Sequence, residues 1–214
     1  MKWLIEILKK RSWKVYAFMF GIFLFLFFLS FLSSKYVSET EPEKIEDFLK
    51  SLEKSPVITE FRNLLEEKKY IQITILIFQH NLEIAIMNYF FGIFFLFSLL
   101  LQVSNGFLVG FLLGISPNIF SSFAQTLGFL IVMLLEVIAI TATGVEGMYL
   151  TYTFFRPEKM WKTKSKSKAM KKTFSQSIKI ILLSALLLLI AAIIETLVIY
   201  YQVSSNIKPI IIGV

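Results

Sequence analysis

The chain has 214 residues, 56% of them apolar and 23 of them phenylalanine, with a mean hydropathy of +0.71. That exceeds what one water-soluble domain buries, so the composition excludes a soluble globular protein and implies an integral membrane protein. The net charge of +7 sits in two clusters beside apolar runs, away from the aromatics, so nucleic acid is not expected as a partner; with no cysteine and one histidine, neither disulfides nor a zinc site are expected.

Residues 1–14 set Trp3, Leu4, Ile7 and Leu8 against Lys9, Lys10, Arg11 and Lys14, which predicts an amphipathic basic helix on the cytoplasmic face of the membrane. Residues 15–33 are predicted as the first transmembrane helix. The run is near the ~20 residues a crossing needs and no small-residue cleavage site follows, so it reads as retained rather than as a signal peptide. The basic residues before it put the N-terminus in the cytoplasm.

Residues 34–79 are predicted to form a small extracytoplasmic helical hairpin. Between 35 and 70 there are nine acidic and seven basic residues. Thr40 and Glu43 around Pro42 have the spacing of a capping box, and Ser55-Pro56 divides the two helices. About 30 residues cannot build an independent core, so the hairpin is expected to pack on the membrane helices or on an extracytoplasmic protein partner through 35–79.

Residues 80–155 are predicted to hold three crossings, divided at the sparse polar points. The second helix is placed at about 82–101, a turn at 102–106, the third helix at about 106–123 with a break at Ser116-Pro117-Asn118, and the fourth at about 126–154 with a soft point at 141–144. Residues 156–177 read as a basic cytoplasmic loop touching anionic lipid headgroups. A fifth helix at 178–201 and an extracytoplasmic tail at 202–214 complete the chain. The fold class is thus all-α, a polytopic transmembrane bundle of about five crossings in the cell membrane, with the N-terminus cytoplasmic and the C-terminus extracytoplasmic.

Gly106, Gly110 and Gly114 recur every four residues, a small-residue ladder for close helix packing, within the chain by preference or else against a second copy; separately, a homo-oligomer is expected, with a dimer favoured. Asn105-Gly106 ahead of the ladder is turn chemistry. Three glutamates, Glu136, Glu146 and Glu195, lie inside apolar runs, where a carboxylate costs about 2.5–3.5 kcal/mol on insertion scales. Glu136 and Glu195, with Glu83 at the outer start of the second helix, fall in the outer half and can converge with His80, Asn81 and Asn88. One reading is a polar cavity that binds a cation or relays protons; the other is a set of neutral carboxylic acids hydrogen-bonded within the bundle. Glu146, nearer the cytoplasmic end, is expected to be solvated, and His80 to be a polar cap at the membrane surface. No metalloprotease, nucleophile-elbow, phosphate-loop or dinucleotide motif is present, so neither an enzyme nor a cofactor is expected.

His80-Asn81-Leu82, Gly92, Asn105-Gly106 with Gly110, Glu136 with Gly144 and Gly147, and Ala191-Ala192 with Glu195 together resemble the stage II sporulation protein M family over about residues 78–200. That pattern opens a membrane helix with an Asn-Asn pair, whose first position is His80 here. It also carries Pro-His-Gly before the glutamate of the fourth helix, where this chain has Ile131, Val132 and Met133. The resemblance implies a membrane scaffold. In spore-forming bacteria the family member assembles with stage II sporulation proteins D and P, cell-wall-degrading partners, during engulfment, and relatives occur in organisms that make no spores. It also implies that Glu136, Glu195 and Asn81 matter. The rival expectation is a small transporter or channel whose glutamates line a cation or proton path.

Overall fold

A computed structural model describes residues 11–115 and 123–204. Among them are eight helices: α1 (Trp13–Thr40), α2 (Pro42–Glu53), α3 (Pro56–Glu66), α4 (Tyr70–Gly92), α5 (Phe95–Gly114), α6 (Phe123–Phe155), α7 (Pro157–Trp161) and α8 (Lys166–Ser204). α1, α4, α5, α6 and α8 are each long and apolar enough to cross a membrane. Most of the membrane window of α6 is buried, 67% against 22–33% for the others, so α6 is the post around which the bundle is built.

Directions follow from the pairings. Phe23, Phe27 and Ser34 of α1 meet Gly106, Gly110 and Gly114 in that order, so α1 and α5 run parallel. Asn81, Asn88 and Gly92 of α4 meet Glu136, Ile140 and Gly147 of α6, also in rising order. α8 opposes α6, with Ser177 at Glu146 and Val198 at Gly128. Met19 packs with Val145 while Phe27 packs with Met133, so α1 opposes α6 as well. The five spans therefore alternate in direction, and α2–α3 lies at the end of the bundle opposite Ser12.

The glycines make this packing close. A Cβ on Gly106 would sit 2.7 Å from the Phe23 carbonyl oxygen, and one on Gly110 would sit 2.9 Å from the Phe27 carbonyl carbon. The ladder therefore meets α1 of the same chain, backbone against backbone. A second crossing joins α4 to α6, where a Cβ on Gly92 would lie 2.9 Å from Gly147 Cα.

Several boundaries differ from the sequence expectation. α1 extends beyond 15–33 at both ends, and Thr40 donates to the Tyr36 carbonyl at 2.9 Å inside its last turn instead of capping α2. The second span begins at Tyr70 rather than after residue 79, and the break between the second and third spans is at Ile93 and Phe94. The expected turn at 102–106, with Asn105 and Gly106, is helix interior. Gln102 there bonds Thr141 inside the bundle and Asn105 lines an interior cavity, so their polarity marks the bundle interior and not the membrane surface. The soft point at 141–144 is continuous helix because Gly144 is a packing position. The basic stretch is mostly helical, since α8 begins at Lys166 rather than 178. The expected basic helix falls largely in residues 1–10, the break at Ser116-Pro117-Asn118 in 116–122 and the tail largely in 205–214; these lie outside the described residues.

The hairpin is fastened to the bundle. Phe61 of α3 is fully buried with Ile73 and Ile77 of α4 and with Ala192 and Ile199 of α8, and the Phe48 ring of α2 meets Phe111 of α5 edge-on at 4.9 Å. Its charged side chains from Glu41 to Lys50 and from Lys54 to Lys69 are exposed, and the Lys50 ammonium, 2.8 Å from Glu46, holds that carboxyl below the usual range by hydrogen bonding and charge.

Candidate functional site

Two groups of polar side chains occupy the interior. The first surrounds Glu146 near the start of α1. Arg11 donates through Nε to Oε1 at 3.0 Å and through Nη2 to Oε2 at 2.9 Å; Tyr16 Oη donates to Oε1 and Ser177 Oγ to Oε2, each at 2.8 Å. The guanidinium also stacks on Tyr149, 4.6 Å from the ring centroid, whose hydroxyl accepts the Ser12 N–H at 2.5 Å. Glu146 is thus fully buried, which corrects the expectation that it is solvated. Four donors replace the water it was assumed to need. Arg11, which sequence placed on the membrane surface, is the missed member. Its role has no local signature, because its partner is 135 residues away.

The second group lies at the level of Glu136. Asn81 Nδ2 donates to Glu136 Oε1 at 2.6 Å, and Glu195 of α8, also buried, interacts electrostatically with Glu136. These three family-motif residues therefore come together from α4, α6 and α8. Asn88 instead donates to the Ile140 carbonyl at 2.8 Å and accepts from Ser98 at 2.6 Å, holding the α4–α5 turn against α6. Gln102 Nε2 donates to Thr141 Oγ1 at 2.6 Å. Glu83 does not join the group. It sits mid-helix, not at a helix start, on the exposed face of α4.

Between α1, α4, α5 and α6 is a cavity of about 80 Å³, with His80, Asn81, Gln102, Asn105 and Glu136 as its polar lining. His80 therefore faces the interior rather than capping the helix at the membrane surface. At about 30 Å³ per water, the volume is on the scale of two or three waters, or of a small cation stripped of most of its water. Gln102 is 1% exposed, and its Oε1 has no protein partner; the same holds for Asn105 Nδ2. Among the described residues no three His, Cys, Asp or Glu are grouped to hold a metal ion.

No curated protein and no solved structure matches this chain. The family model described as stage II sporulation protein M matches residues 17–198, a stretch that contains three of the five spans whole and most of α1 and α8, with the close glycine crossings and the Asn81–Glu136–Glu195 group. This multi-pass membrane protein belongs to the stage II sporulation protein M family.

Proposed function

We propose that the protein is a non-enzymatic membrane scaffold that holds a partner at the extracytoplasmic surface through the α2–α3 hairpin. The carrying observation is that the hairpin is anchored by Phe61 and Phe48 to three different spans while its charged surface stays outward. Such a platform has a defined orientation relative to the bilayer. The basic N-terminal residues support a cytoplasmic N-terminus, which with five crossings makes the hairpin and the C-terminus extracytoplasmic. The hydrogen-bonded interior supports a rigid support rather than a moving one.

A photo-crosslinking residue at exposed Glu60 tests the reading in native host membranes. A single adduct with a protein bearing an extracytoplasmic domain, lost when Glu43, Glu46 and Glu60 are reversed to lysine, supports it. No adduct from any exposed hairpin position overturns it.

A second reading, a cation or proton path, is favoured by the cavity at Glu136 with the orphaned Gln102 Oε1. It requires a flux across proteoliposomes that Glu136→Gln removes.

A further inference from the structure

The exposed face of α4 is unlike the exposed faces of the other spans. The most apolar stretch of α4 is less apolar than those of the other four spans, yet most of it is left unburied. Its inner face is filled by Ile73, Ile77, Asn81, Ala85, Asn88 and Gly92. The outer face carries Ile75, Gln79, Glu83, Ile86 and Phe90, all exposed, at spacings of three and four residues. Glu83 is about 20 Å along a helix about 34 Å long, so it lies deep in the membrane. Among the described residues it has no hydrogen bond or ion pair. A lipid chain offers neither donor nor acceptor at that depth, and an exposed carboxyl there is costly.

We propose that this face is the seam at which two copies of the chain pair within the membrane, Glu83 of each bonding to the partner's Gln79. The face is self-complementary. A carboxamide both donates and accepts, and Gln79 stands one helical turn from Glu83 on the same stripe. A two-fold axis along the membrane normal sets two α4 helices parallel and makes the two Glu83–Gln79 contacts equivalent, each spanning the offset of one helical turn, about 6 Å, with two long side chains. Any other occupant has to bring a donor to the same depth, whereas a second copy does so by symmetry. No lysine or arginine lies between residues 71 and 155, and His80 of α4 lines the interior cavity, so no lysine or arginine of α4, α5 or α6 is available as a counter-charge on this face. Ile75, Ile86 and Phe90 supply the apolar contact above and below, and interhelical hydrogen bonds of this kind hold membrane helices together. The pairing is independent of what docks on the hairpin.

The test uses the purified full chain in proteoliposomes, where it is the sole protein and has no native cysteine. Ile86→Cys is oxidised and compared with Leu182→Cys on the lipid-exposed face of α8. The expected result is a covalent dimer from position 86 and none from 182. Glu83→Leu on the Ile86→Cys background lowers the dimer roughly tenfold, and Glu83→Gln, which keeps the hydrogen bonding, retains it. Absence of a dimer at position 86 overturns the proposal, as does a dimer that Glu83→Leu leaves unchanged or Glu83→Gln abolishes.

Discussion

Arg11 and Glu146, 135 residues apart, meet through two parallel hydrogen bonds with both side chains wholly buried, so the chain just before α1 is locked to the last third of α6. Removing one partner leaves a buried charge without compensation, which costs about 3–5 kcal/mol. Arg11→Met and Glu146→Leu singly should each lower the thermal transition in detergent sharply. The double variant should be less damaged than the sum of the two, because the orphaned charge is gone. A double variant whose loss equals that sum would show that the pair does not act as a unit.

Close packing of α1 on α5 gives a graded prediction. Gly110→Ala places a Cβ against the Phe27 backbone and should destabilise by about 1–3 kcal/mol, and Gly110→Leu should do more. Gly21→Ala has nothing within 4 Å of its new Cβ and should be neutral or slightly stabilising. Equal melting of the Gly110→Ala and Gly21→Ala proteins would contradict the contact.

At the Glu136 group, Glu136→Gln keeps an oxygen to accept from Asn81, so it should fold nearly as well as the unmutated protein. Glu136→Leu strands the Asn81 amide and should cost about 1–3 kcal/mol. Under the scaffold reading the unmutated protein carries no cation- or pH-dependent flux in proteoliposomes. A reproducible flux that Glu136→Gln or Glu195→Gln removes would replace the scaffold by the path through the cavity.

Orientation is read with single cysteines. Ser38→Cys near the end of α1 should label with an impermeant reagent in intact cells, and Ser167→Cys at the exposed start of α8 should label only after permeabilisation. Labelling of both from outside would rule out the five-crossing orientation.

Hydropathy and spacing are sums over neighbouring residues, so they suffice to read a membrane setting, five spans, a hairpin and close packing at Gly106, Gly110 and Gly114. Tertiary structure alone decided where the spans divide and what the polar residues do. Gln102 and Asn105 sit in the middle of α5 since Gln102 bonds Thr141 and Gly106 abuts Phe23, contacts across 39 and 83 residues that no local window contains. Glu146 changed from a solvated end to a fully paired centre for the same reason, since Arg11, Tyr16 and Ser177 reach it from α8 and from the chain at and before α1. In a bilayer a polar residue is satisfied by water at the surface or by another helix at depth, and only the fold says which.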